Sequence, residues 1–395
     1  MNPAFSYRTG WDTGESLLSA SVRAAQDAGH NLYDLTLANP TRCGFHYDLA
    51  ATLGPLLNAA ALQYDPQPMG LESARLAVSR YYLDHGANVP SENIVLTTST
   101  SEAYSFLFRL LCDPGDEILV AQPGYPLFDF VANLENVQLK RYNLFQDYGW
   151  WIDFHSLERQ VSTRTRAVIL VHPNNPTGHP TSLSQRDALE DFCERHHLSL
   201  IVDEVFLDFS QDAPLSSFAA GGHRCTTFVV SGISKVSALP QMKVGWIAAL
   251  GPPYSIAEAL TRLEIIADTF LSMNTPAQLA LPAWLEGRHA IQAQIKDRVR
   301  SNLALLNACP FLTTLPTLAG WSAIVRLFGL SSQPLLAELL VQQASVITHP
   351  GSLYGIAEPN RLVLSLILAP QTLTAGLIAL SRWCESEHLT PSNLS

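Results

Sequence analysis

Lys235 is the residue of this chain best placed to do covalent chemistry. It lies in the run Ser231-Gly232-Ile233-Ser234-Lys235-Val236-Ser237, between two apolar stretches, Thr226 to Val230 and Val244 to Leu250. Desolvation there disfavours an ammonium, which lowers the amine's pKa and makes it a nucleophile toward an aldehyde. A lone lysine in a loop is normally a surface residue. Four other groups shift that balance: Ser99-Thr100-Ser101, Tyr125, Asn175 in Asn174-Asn175-Pro176-Thr177-Gly178, and Asp203. Each has an ordinary explanation when taken singly, as a helix N-cap, a turn or a local pair. All five, however, follow apolar runs of strand length.

The elements that must position them alternate. Asn93 to Thr97, Glu117 to Ala121, Arg166 to Val171, Leu198 to Val202 and Thr226 to Val230 read as short buried strands. Helices are expected over Leu71 to His85, Ala103 to Cys112 and Ser184 to His196. This alternation predicts an α/β fold, a mostly parallel sheet sandwiched by helices. Ligands collect at the carboxyl ends of such strands, which is where the five groups fall. After Pro276 the pattern changes. One long helix, Pro276 to Leu306, is expected to kink or start at Pro282. Strands Gly320 to Leu327 and Arg361 to Leu368 then alternate with helices Ser331 to Ala344 and Thr372 to Glu385. The expected division is a large domain over 45–280 and a smaller α+β domain formed by 1–44 with 281–395.

At the strand ends, hydroxyl residues opening a helix can hold a phosphate through backbone N–H groups and the helix dipole. An aromatic ring can stack on a flat heterocycle. An asparagine can donate to a ring oxygen, a carboxylate can keep a ring nitrogen protonated, and a lysine can form an imine. That set is what pyridoxal 5'-phosphate requires of a protein.

Composition is compatible and excludes other classes. The 395 residues are 47% hydrophobic and 15% charged, which suits a well-buried enzyme. A net charge of −11 argues against nucleic acid and anionic membranes as partners. The six cysteines form no CxxC pair, so reduced thiols are expected. No signal peptide or apolar run of spanning length is seen, so a soluble cytoplasmic protein is expected. His196-His197 lacks a metal-binding pattern, and no metal is expected. Trp150-Trp151 and Trp321 read as packing or pocket wall.

From Leu35 to Glu385 the chain resembles the class I/II, fold type I pyridoxal-phosphate aminotransferases, the aspartate aminotransferase-like group. The residues that carry the resemblance are Asn-Asn-Pro-Thr-Gly, then Asp203-Glu204, then Ser234-Lys235, in that order and spacing. The resemblance implies that Lys235 carries the cofactor as an internal aldimine and shuttles the α-proton. It implies that Asp203 bonds the pyridine nitrogen, Asn175 bonds the ring hydroxyl oxygen and Tyr125 stacks on the ring. Ser99, Thr100, Ser101 and Ser234 fall at phosphate-cradle positions. Tyr64 matches a tyrosine that reaches the neighbouring subunit's site, implying a homodimer. Arg361 matches the arginine that grips the substrate carboxylate, with Asn175 and Asn39 also on the substrate side. Thr348-His349-Pro350-Gly351 resembles the turn before that arginine.

Three positions depart from the family pattern. Lys243 stands where a phosphate-binding arginine is usual, Phe206 where a tyrosine bonds the ring oxygen, and Gly232 where a serine is common. The expected reaction is transfer of an amino group between an L-amino acid and a 2-oxo acid by ping-pong half-reactions. A lyase, decarboxylase or cyclase on the same scaffold is the alternative, because fold does not fix reaction. A regulatory protein is disfavoured by the chain's acidity. No second arginine is assignable to a distal carboxylate, so a neutral or aromatic side chain is expected on the substrate.

Overall fold

The computed structural model describes residues 5–271, 273–328 and 335–389. Its centre is an eight-stranded sheet. Ile94–Thr97 lies at one edge, beside Gly245–Leu250. Thr227–Gly232, Ser199–Asp203, Thr165–Val171, Glu117–Gln122 and Gln138–Gln146 then follow, and Trp150–Ile152 closes the other edge. The inner pairs are parallel, with Val171 opposite Asp203 and Asp203 opposite Val230. Gly245–Leu250 runs antiparallel to both of its neighbours. Its first residue therefore meets the carboxyl ends of the strands beside it.

Side-chain alternation explains why both faces are covered. Val168, Leu170, Leu200, Val202 and Val229 enter one apolar cluster, with the helices Glu72–Asp84 and Leu183–Arg195. Ile169, Val171, Ile201, Phe228 and Val230 enter the opposite cluster, with Thr100–Leu111 and Pro253–Thr269. A strand buried on both sides must be apolar through its middle, and Ala167–Leu170, Leu200–Val202 and Phe228–Val230 are. The expected helix-covered, mostly parallel sheet is therefore present.

The second sheet has four antiparallel strands in the order Leu312–Thr314, Ser322–Leu327, Arg361–Ser365, His349–Pro350. Its core joins Leu35 and Cys43 to Trp321, Leu364, Leu373 and Trp383. Tyr33–Asp34 pairs in parallel with Val346–Ile347, which ties the N-terminal segment to this lobe.

Several elements differ from expectation. The long helix is two, Thr275–Glu286 and Arg288–Asn307, with the break at Gly287. Pro282 sits inside the first helix, where it removes one N–H without ending the run. The helix expected from Ser331 is observed as Leu336–Leu339 followed by a π-turn, Leu340–Ala344, and residues 331–334 lie outside the described ones. No helix among the described residues is long and apolar enough to cross a membrane.

Candidate active site

A cleft of about 310 Å³ opens where the strands of the large sheet end and the small lobe begins. Asp203, the last residue of Ser199–Asp203, lies at its floor and is 7% exposed. The Val205 N–H donates to its Oδ1 at 3.0 Å and the Tyr104 hydroxyl to its Oδ2 at 2.9 Å. Burial raises the Asp203 pKa to about 6, and the two donors and Lys235 hold it below a still higher value.

Lys235 sits in a single helical turn, Ile233–Val236, between the strands Thr227–Gly232 and Gly245–Leu250. Its Nζ lies 4.9 Å from the ring centre of Trp321 and 5.6 Å from that of Phe206. The two rings meet edge to face at 5.5 Å. Desolvation lowers the lysine pKa, and the charge of Asp203 opposes that shift. The result is an amine with flat apolar faces on one side and a carboxylate within electrostatic reach.

Thr100 and Ser101 open the helix Thr100–Leu111 and line the cleft, as do Ser234, Asn175 and Tyr125. Ser99 caps this helix, its Oγ accepting from the Glu102 N–H at 3.2 Å. A Cβ on Gly245 would lie 2.9 Å from the Ser99 carbonyl carbon and 3.1 Å from the Thr100 nitrogen. Glycine is thus what lets the helix N-terminus abut the Lys235 segment. A Cβ on Gly232 would meet the Val244 oxygen at 2.8 Å, which accounts for glycine where a serine was anticipated. Ser231 instead turns inward and donates to the Glu204 carbonyl at 3.4 Å.

Other anticipated residues lie elsewhere. Tyr64 is 82% exposed and Lys243 is exposed in a left-handed conformation; neither is among the residues lining the cleft. Asn39 caps the turn Pro40–Arg42, accepting from the Thr41 N–H and hydroxyl, while its neighbour Ala38 lines the cleft. Arg361 is half-buried and outside the cleft lining, and the charges of Glu358 and Arg326 act on it. Tyr104, Ser322 and Tyr354 line the cleft without having been anticipated. Trp321 both packs in the small-lobe core and faces the cleft.

The donor set fits pyridoxal phosphate. A buried carboxylate kept largely ionised at neutral pH suits a pyridinium nitrogen, and a glycine-tightened helix start with flanking hydroxyls suits a phosphate. A lysine with depressed pKa between them suits the aldehyde carbon.

Fold and site together define a pyridoxal-phosphate enzyme of fold type I. Residues 60–377 match the family model "Aminotransferase class I and II", and the chain belongs to that family. It is similar to the alanine aminotransferase of Mycobacterium tuberculosis, 27% identical over 91% of this chain and 81% of that protein. It is also similar to the glutamate-pyruvate aminotransferase of Haemophilus influenzae, 23% identical over 82% and 83%. Among solved structures, an alanine aminotransferase from Pyrococcus furiosus superposes with a TM-score of 0.88, at 19% identity over 97% of this chain and all of that one. The protein is a pyridoxal-phosphate-dependent aminotransferase. All three of these relatives are transferases, and none supports the lyase alternative.

Proposed function

We propose that this enzyme moves an amino group between a neutral L-amino acid and a 2-oxo acid, with Lys235 as the amine that holds the cofactor and handles the α-proton. The observation that carries the reading is the Lys235–Asp203 pair at the ends of adjacent strands, one amine depressed and one carboxylate held ionised by Tyr104 and Val205. Asp203 would face the ring nitrogen, Asn175 the ring oxygen and Tyr125 the ring face. The backbone at Thr100 and Ser101, the hydroxyl of Ser234 and the charge of Lys243, two residues before Gly245, would hold the phosphate. When bound, pyridoxal phosphate supplies an aldehyde for amines and a ring that accepts the electron pair left by the departing α-proton. Lys235 Nζ would take that proton and return it, for which an amine unprotonated in part at neutral pH is required. Phe206, Trp321 and Phe128 would exclude water from the reacting atoms.

The names of the relatives, alanine and glutamate-pyruvate aminotransferases, support small 2-oxo acids as acceptors. The aromatic and aliphatic wall supports a neutral or aromatic donor side chain. A homodimer is supported by the run of exposed apolar side chains Leu49, Leu57, Leu62 and Tyr64, the middle two about 90% exposed. Tyr64 would then reach the partner's site. We place the large domain at 45–280 and the small one at 1–44 with 281–395, and the protein in the cytoplasm.

The test is product analysis with a ¹⁵N-labelled donor. Label appearing in an amino acid formed from added 2-oxo acid supports the reading. Release of labelled ammonia, or of carbon dioxide, in place of transfer would overturn it.

A further inference from the structure

Burial and the charge of Asp203 act on the Lys235 ammonium in opposite directions, and no hydrogen bond adds to them among the described residues. The close neighbours of Nζ are two aromatic faces, Trp321 at 4.9 Å and Phe206 at 5.6 Å from the ring centres. Both lie inside the range, about 6 Å, over which a ring face attracts a cation, and the indole face is the strongest of the aromatic side chains.

Trp321 is 2% exposed and held from both lobes. Its carbonyl accepts from the Leu366 N–H at 2.7 Å, which ties it to the small sheet. The Gly320 N–H donates to the Phe209 carbonyl at 2.9 Å, which ties it to the segment that follows Asp203. Phe209 and Phe206 meet the indole edge to face at 4.9 and 5.5 Å. The indole N–H, however, is buried without an acceptor. Buried tryptophans usually find one, and an unmet donor destabilises where a phenyl or leucyl side chain would leave none. Packing alone does not account for an indole at this position. Its face over Lys235 does.

We propose that Trp321 is a positioning residue for the reaction, its indole face holding the Lys235 ammonium that forms when Nζ takes the α-proton. The C–H bond breaks, the new N–H bond forms on Nζ, and the positive charge appears where water is excluded and the ring stands in for it. Phe206 presents a second, weaker face. When the proton is returned, the neutral amine keeps only dispersion with the ring, so the contact strengthens as the proton arrives. The small lobe thereby supplies the station for a charge that the lysine of the large sheet acquires. This rests on the reading of Lys235 as the working amine. A desolvated ring–cation contact raises the pH midpoint of an amine by roughly half to one and a half.

The test is the pH midpoint of Lys235 acetylation by acetic anhydride in the cofactor-free protein, read by peptide mass spectrometry. The seven tryptophans are replaced biosynthetically by monofluoro- or trifluorotryptophan, which drains the ring face while nearly keeping its shape. The midpoint should fall with each level of fluorination, by about one pH unit at the highest, with roughly tenfold faster labelling on its acid side. In Trp321→Phe, fluorinating the remaining tryptophans should leave the midpoint where it is. A midpoint that ignores fluorination in wild type, or that moves equally in Trp321→Phe, would overturn the proposal. Loaded wild type that fails to pass nitrogen to a 2-oxo acid would count against the aminotransferase reading instead, because the midpoint is read without cofactor.

Discussion

Tyr104→Phe removes one hydroxyl and nothing else from the floor of the cleft. That hydroxyl donates to Asp203 Oδ2 at 2.9 Å in a fully buried setting, and the ring stays packed on Phe128 at 4.9 Å. A hydrogen bond to a charged acceptor contributes about 1.5–3 kcal/mol. At about 1.4 kcal/mol per pKa step, its loss raises the Asp203 pKa from about 6 by roughly one to two. At pH 7 the ionised fraction then falls from about nine-tenths to between a half and a tenth. Only the ionised carboxylate keeps a pyridine nitrogen protonated. Binding of pyridoxal phosphate to the cofactor-free protein, followed by tryptophan fluorescence across pH, should therefore show its acid limb moved up by one to two pH units. An acid limb that coincides with wild type would refute the claim that Tyr104 tunes Asp203.

Two further outcomes follow from neighbouring residues. Phe206→Tyr places a hydroxyl near Lys235 Nζ, now 5.6 Å from the ring centre, where it can donate to the ring oxygen of the bound cofactor. The pH midpoint of the visible cofactor band should fall by about one unit, and a midpoint that is equal or higher contradicts this. Glu204 is fully buried, accepts from the Phe218 N–H and the Ser217 hydroxyl, and has its pKa raised from 4.5 to about 7 by desolvation. The folded protein binds the extra proton, so Glu204 costs stability progressively as pH rises from 4.5 through 7, by at most about 3 kcal/mol. Denaturant titrations of the cofactor-free protein at pH 5 and 7.5 should show a smaller difference for Glu204→Gln than for wild type, and an equal difference would be inconsistent with the buried carboxylate titrating there.

The parts of the site that could be read from sequence are those that end apolar strands. Asn175, Asp203 and Lys235 were findable because Thr165–Val171, Ser199–Asp203 and Thr227–Gly232 are apolar on both faces, which fixes where each strand stops. The edge hairpin Gln138–Gln146 with Trp150–Ile152 was not anticipated as strands, because its first strand is polar and mostly exposed. Pro253–Thr269 was missed behind its leading prolines, which mark a loop as readily as a helix start. Tyr104 carried no local signal, since an aromatic in mid-helix looks like core until the Asp203 contact is known. Gly245 is a small residue at a strand start whose importance lies in what approaches it. The pairing of Arg361 with Arg326 is a long-range fact that residue order does not carry. Pro282 shows that a helix already held by burial of Leu281, Trp284 and Leu285 tolerates one missing N–H.

The central claim, that Lys235 is the amine bonded to the cofactor, is most directly tested by borohydride reduction of the loaded protein followed by peptide mass spectrometry. The account predicts a phosphopyridoxyl mass on the peptide containing Lys235, and none in Lys235→Ala. A reduced adduct on Lys243 or another lysine, or a wild-type protein that stays unlabelled, would contradict it.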